Sequence, residues 1–484
     1  MRSARGKSQV CDKSNVWCIV RDLNTNLTAV VKTRFGTSRV IQRDIDGTQG
    51  LRAFGRMLSK QMDTLSENLI NNREEKVKIN DSFSIGYLEW IDDVLSSTIG
   101  MKKQLSVLNV VDEFAKKNKL EWGEAKSQVM QVGRKIKTPE NWKLGDKNIQ
   151  NTTSYKYLGD TITNDNKNKI NLQTRENKIQ GTIRQINTTA SSDVMRGIET
   201  KVLLVLYETC IVSSLLHNGE SWTLSQADEN QIDQIGIRSL KRLFNLPTTT
   251  PSAAILFNLG LLYLTQTIDK MRFMYLHKIM NRTSDHWTKR MLTHLQDLNL
   301  GWAKNIQAKL VEYELELNWD NIGRKPKAEW KKTVSEAVDK KNQQKMIDNC
   351  TTKTKDGNKI NTKSRSIHEK LTSPEYKRLP LKEMTQGTRQ RTKTLILARH
   401  GMLECGANLK GTMSEKCQKC NVVDNETHRI NECTNYSQTN LAHSLEKCTF
   451  SDVYSDNDLI LDRVIANLER VWEFKYANGK IRRI

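Results

Sequence analysis

The chain has 484 residues, 37% of them apolar and 27% charged, with a formal net charge of +22 and a pI near 9.5. That length predicts two to four domains, and that charge favours polyanionic partners, nucleic acid first and an anionic membrane surface second. Nine cysteines, an odd number in so long a chain, exclude a disulfide scaffold, and the most apolar run, 202–216, is interrupted by Glu208 and too short to span a bilayer.

The N-terminus, "MRSARGKSQVCDKSN", is basic and lacks the apolar segment of a signal peptide, so a soluble intracellular protein, nuclear or cytoplasmic, is expected. Residues 16–42 alternate apolar and polar with many β-branched residues, which predicts strands and a turn. "GTQG" at 47–50 is a turn signal. Phe54, Met57, Leu58, Met62, Leu65 and Leu69 then recur at helical spacing over 51–70. "SIGYLEWIDDVLSS" predicts strands at 83–91 and 94–97 with Asp92 and Asp93 between them. Leu105, Leu108, Val111, Phe114 and Ala115 predict a helix that ends in "KKNK". "KSQVMQVG" and "SYKYLGDTIT" are strand-like, so the first 165 residues predict an α+β domain.

From about 170 to 320 the pattern is helical: "ETKVLLVLYETCIVSSLL" and "LTQTIDKMRFMYLHKIM" have helix-width apolar faces, and Pro247 and Pro251 flank a break. Residues 321–393 hold 20 Lys and Arg against 8 Asp and Glu, with few apolar residues. They predict a basic linker with short helices at most. A Cys/His module follows, and Leu461, Val464, Ile465, Leu468 and Trp472 predict a terminal helix.

Two constellations carry chemistry. Adjacent carboxylates at a hairpin tip either form a solvated turn, for which Asp is a preferred residue, or hold divalent metal for phosphoryl transfer. "CQKCNVVDNETHRINEC" places Cys417, Cys420, His428 and Cys433 at spacings that suit a closed tetrahedral Zn2+ site; the alternative is a chance cluster. Lys410, Lys416, Lys419 and Arg429 would give it a basic rim, and Cys405 is expected to be a core thiol, the alternative being a fifth candidate ligand. The basic linker reads either as solvated chain or as a neutraliser of RNA or DNA phosphates. His217, His277 and His400 read as packed or surface histidines rather than ligands.

In chain order, "GTQG", "YLEWIDDV", "KLEWGEAKSQVM" and "YKYLGDTIT" resemble the successive palm motifs of reverse transcriptases, those of non-LTR (LINE-like) retrotransposons above all. The resemblance continues through "LYETCIVSSLLHNGESWTLSQAD" and "IRSLKRLFNLPTTTPSAAILFNLGLLYL", so it covers roughly residues 16 to 285 and the Cys/His module. It implies an RNA-directed DNA polymerase (a nucleotidyltransferase) with a partial palm at 16–165 and a helical thumb or connection at 166–320. A basic linker at 321–400, a CCHC-type zinc module at 401–440 and a C-terminal helix at 450–484 would follow. It implies Asp92 and Asp93 as catalytic Mg2+ ligands. Gln49, Gly50, Lys126, Tyr157, Leu158 and Gly159 would bind substrate, and the partners would be an RNA template and a DNA primer or target, without a membrane.

The family's third carboxylate, in an Asp-apolar-x-x-x-Phe-Asp strand before the Gln-Gly turn, has no counterpart here, nor do the fingers and endonuclease. Trp90 stands where Phe or Tyr is usual, and "LRAFGRMLSK" replaces Leu-Ser-Pro. The resemblance therefore implies a downstream portion of a polymerase that is inactive alone and would need an upstream segment or the full-length element protein. The alternative is a non-catalytic remnant that holds nucleic acid through the linker and the zinc module.

Overall fold

The structure, a computed structural model, describes residues 27–43, 52–71, 76–133, 142–189, 192–354, 357–360, 365–376 and 387–400. It omits single residues within these spans (31, 35, 82, 119 and 375) and adds isolated positions 402, 416, 420–423 and 428. The chain mixes helices with small sheets and divides into two compact units, Met1–Lys167 and Asn168–Ile484.

The first unit opens with β1 (Leu27–Ala29), β2 (Lys32–Thr33), β3 (Gly36–Thr37) and β4 (Ile41–Arg43), in which β1 pairs with β4 and β2 with β3. Helix α1 (Arg52–Asn71) follows. Hairpins β5 (Val77–Asn80)–β6 (Phe83–Ile85) and β7 (Tyr87–Trp90)–β8 (Asp93–Ser96) come next, then helix α2 (Met101–Asn118). The strand expected at 83–91 is thus broken at Gly86. Strands β9 (Gln128–Met130), β10 (Trp142–Leu144) and β11 (Lys147–Thr152) form one sheet in the order β10-β11-β9, with β9 parallel to β11. Strands β12 (Ser154–Tyr157) and β13 (Asp160–Thr163) close the unit as a hairpin.

The core holds Met62, Leu65 and Leu69 of α1 and Leu108, Val111, Phe114 and Ala115 of α2, as the 3.6-residue periodicity predicts, together with Val107, Trp142, Leu144 and Ile149, while Leu105 is only partly buried. Tyr87 and Val94 bring the β7–β8 hairpin onto that core.

The second unit is helical. It contains α3 (Lys169–Thr188), α4 (Ser192–Gly197) and α5 (Thr200–Leu206), and α5 runs through a π-helical turn (Tyr207–Val212) into α6 (Ser213–Leu215). After these come α7 (Gln226–Leu243), α8 (Ser252–Leu259), α9 (Leu264–Met280), α10 (Trp287–Asp297), α11 (Gly301–Glu312) and α12 (Trp319–Arg324). A capping box starts α7: Ser225 accepts from the Asp228 amide, and Asp228 accepts from the Ser225 amide.

The basic linker expected at 321–400, with short helices at most, instead holds a long helix seated in the core. Helix α13 (Lys327–Cys350) has 24 residues, and Trp330, Val334, Val338, Asn342, Met346 and Cys350 are buried along it. One buried residue in every four seats a helix between others, so a lysine-rich composition concealed a packed element. Hairpin β14 (Thr351–Thr354)–β15 (Gly357–Ile360) and helices α14 (Arg365–Thr372) and α15 (Arg389–Arg399) follow. Ile367, Leu371 and 395–398 complete the core that α3, α5, α7 and α8 begin. The expected helix at 450–484 lies outside the described residues, as do Gln49, Gly50 and residues 16–26.

Two apolar clusters fill this unit, and α9 and α13 belong to both. The two run antiparallel. The Tyr263 amide donates to Asn342 Oδ1 at 2.9 Å, and Trp330 Nε1 donates to the Phe273 carbonyl at 3.0 Å. Asp269 of α9 is buried and accepts from Tyr313 Oη at 2.8 Å, with Arg272 at 3.3 Å and Lys309 Nζ at 3.5 Å. Burial depresses the Lys309 ammonium, but Asp269, Glu229 and Glu312 outweigh it and hold the group above the usual lysine range. No described helix is long and apolar enough to cross a membrane.

Gly323 of α12 meets α9 without a side chain: a methyl group there falls 2.8 Å from the Met280 carbonyl carbon and oxygen. Backbone cannot yield as a flexible side chain can. Gly323→Ala is expected to destabilise the protein by about 1–3 kcal/mol, read as a lower urea midpoint at unchanged slope.

Candidate functional site

The β7–β8 hairpin turns through two residues, Ile91 and Asp92, and pairs Trp90 with Asp93. Ile91 has φ 60°, and no positive φ occurs at Asp92, the pattern of a type II′ turn that ordinarily takes Gly first. A β-branched residue there costs on the order of 1–2 kcal/mol. Strand alternation sets the two faces of the hairpin. Tyr87 and Val94 face the helical core, and Glu89 on the same side accepts from Ser66 Oγ of α1. Asp93 lies on the opposite face with Trp90, which is 61% exposed, and both aspartates are exposed.

The β12–β13 hairpin turns through Leu158 (φ 47°) and Gly159 (φ 92°), two positive values as in a type I′ turn. The Tyr-Leu-Gly strand expected from sequence is therefore a strand end and a turn, because Leu158 and Gly159 leave the extended region. Tyr155 and Tyr157 share one face of β12. Burial raises both phenols above the usual tyrosine range, and the nearby Asp93 carboxylate raises them further. Tyr155 Oη donates to the Lys126 carbonyl at 2.8 Å, at the end of a 3-10 turn, Glu124–Lys126, whose lysine side chain is exposed.

Of the four sequence motifs, the Lys126 turn and the Tyr157 hairpin are joined by a hydrogen bond, and the Asp93 carboxylate of the third lies near enough to raise both tyrosines. The fourth, Gln49 and Gly50, lies outside the described residues, as do Asp22, Asp44 and Asp46. Tyr155 was missed in the sequence although it makes the bond to the Lys126 turn. Its place two residues before Tyr157, on the same face of a strand, was the available signal. Among the described residues no group of three His, Cys, Asp or Glu side chains is arranged to hold a metal ion.

Of the Cys/His module, Cys420 and His428 are described and Cys417 and Cys433 are not. Lys416 and Val423 form an antiparallel bridge, and Asn421 has φ 54°. His428 is 2% exposed. Cys420 and the buried His428 eight residues on are the described members of the expected Cys417, Cys420, His428 and Cys433 set. Of the three singled-out histidines, His277 is buried with Nε2 2.9 Å from the Lys325 carbonyl, His400 is buried with Nε2 3.3 Å from Asn258, and His217 is exposed.

No protein-family model matches this chain, and no curated protein matches it.

Asp93→Asn is expected to lower the titration midpoints of Tyr155 and Tyr157 while leaving them above the ordinary tyrosine value, since burial is the larger cause. Ultraviolet difference titration with Tyr155→Phe and Tyr157→Phe controls measures it.

Proposed function

We propose that the first unit is the palm portion of a LINE-like reverse transcriptase by descent, and that its hairpin binds divalent metal and nucleic acid without supporting DNA synthesis alone. The observation that carries the reading is the nearness of Asp93 to Tyr155 and Tyr157, with Tyr155 bonded to the Lys126 turn. A functional cluster explains two features that a plain solvated turn leaves unexplained: a strained Ile91 at the tip, and a large aromatic, Trp90, exposed beside a carboxylate. Asp92 and Asp93 would hold Mg2+. Such an ion supplies charge neutralisation to transferring phosphates and keeps several waters when only two carboxylates bind it.

The same unit then takes a primer end against Trp90 and Tyr157, with Lys126 toward the phosphates. Primer extension on an RNA template with Mg2+ should give no robust product, and robust synthesis would overturn the inactivity. Mn2+ binding followed by electron paramagnetic resonance should be weak and should disappear in an Asp92→Asn, Asp93→Asn double variant. Retained binding would remove the metal site.

The second unit carries Zn2+ on Cys417, Cys420, His428 and Cys433. The Lys416–Val423 bridge, the left-handed Asn421 and the buried His428 support this. The metal would supply folding energy to a module with little core of its own. The outward lysines of α13, among them Lys327, Lys331, Lys332 and Lys340, favour a nucleic-acid-holding role for the whole unit. Purified protein should contain one zinc per chain, and Cys417→Ser should lose it; equal zinc in both proteins would count against the assignment.

A further inference from the structure

Trp287 and Trp90 are the exposed aromatic side chains among the described residues, and Trp287 is the one in the helical unit. It is 49% exposed, whereas Trp222, Trp319 and Trp330 of the same unit are buried. A large ring left half in water contributes little to the core, so its position calls for another account.

Its surroundings supply one. The His286 ring stacks on it, with centroids 6.3 Å apart and planes 22° apart, which extends the flat surface. Arg282 Nη1 lies 2.6 Å from His286 Nε2. His286 Nδ1 accepts from the Thr288 amide at 3.3 Å, capping α10, and lies 2.8 Å from Thr288 Oγ1. Both ring nitrogens are thereby committed, and what the imidazole offers outward is its face.

Positive charge surrounds the pair. Arg282 lies beside His286, Arg290 is one helical turn beyond Trp287, and Lys289 Nζ donates to the Met280 carbonyl at 2.9 Å. The loop's carboxylate, Asp285, is held below the usual carboxylate range by the Thr283 hydroxyl and its own backbone first, and then by the nearby His286 and Arg290. A flat aromatic surface ringed by guanidinium and ammonium groups matches an unpaired base with flanking phosphates. The π-face takes any base, and the cations follow the backbone.

We propose that the 282–290 segment is a docking surface for single-stranded nucleic acid, with an unpaired base stacked on Trp287 and His286 and adjacent phosphates held by Arg282 and Arg290. The surface lies in the second unit and involves none of the residues of the Asp92–Asp93 hairpin.

The test is equilibrium binding of the full chain to a fluorescent dT12 oligonucleotide, to U12, and to a twelve-residue abasic strand with the same phosphates. Trp287→Ala should weaken binding of dT12 and U12 by about tenfold, leave the abasic strand unaffected and leave the melting temperature unchanged, because the ring is exposed. Trp287→Phe should retain most of the affinity. Arg282→Gln should weaken all three strands alike and reduce the salt dependence by about one phosphate's worth. Unchanged dT12 and U12 affinity in Trp287→Ala would overturn the proposal, as would an equal loss on the abasic strand. A ratio of dT12 to U12 affinity above or below one identifies DNA or RNA as the preferred strand. The Asp92→Asn, Asp93→Asn variant should bind dT12 as the wild type does, so failure of the metal site and failure of this surface are separately visible.

Discussion

The second unit depends on a charge placed where water cannot reach it. Asp269 is buried on α9, and it is tolerable there because Arg272, Lys309 and the Tyr313 hydroxyl all converge on it. Such a node adds little net stability over an apolar replacement, yet removal of one partner strands the others. Arg272 also donates to the Trp222 carbonyl, and Lys309 lies 3.0 Å from Glu229, so one carboxylate sets the relation of α9, α11, α7 and the 219–224 segment. Near the start of α9, Asp233 accepts from the Thr265 amide and hydroxyl and pairs with Lys345 of α13. With its polar contacts fixed along its length, α9 offers α13 one place to lie.

The first unit is organised differently. Its core is two helix faces and a few strand residues, and its strands pair in small separate sheets. What is precise there is the geometry of the hairpin turns. A two-residue turn leaves little freedom in where its flanking residues point, so Asp93 and Tyr157 owe their placement to turn chemistry at Ile91–Asp92 and Leu158–Gly159 more than to burial.

That difference explains what was legible in the sequence. Helix α1, with apolar residues three and four apart, was readable within a residue, and the existence of α2 and of the Asp-Asp hairpin was readable too, though not where α2 starts nor the break at Gly86. The meeting of Lys126 with Tyr155 was not readable, since it rests on one side-chain bond to a carbonyl 29 residues away. The Cys/His spacing was visible, but the left-handed Asn421 was not. Helix α13 was hidden by its period. Its buried positions recur every four residues, while an α-helix repeats every 3.6, so no fixed face accumulates apolar residues and the segment read as a polar linker. Trp287 escaped notice because nothing in periodicity distinguishes an exposed tryptophan from a buried one.

The four-residue period of α13 also determines how force and error pass through the unit. Each step of four residues overshoots a full turn by about 40°, so the buried line winds about 200° around the helix between Trp330 and Cys350. The helix therefore faces one apolar cluster at its start and the other, from a different side, at its end. It acts as a screw engaged in two nuts. An insertion or deletion of one residue midway would turn every later contact by about 100°, and no local adjustment at one cluster would restore the other. Amino-acid identity along α13 has latitude as long as size and polarity suit; its residue count has none.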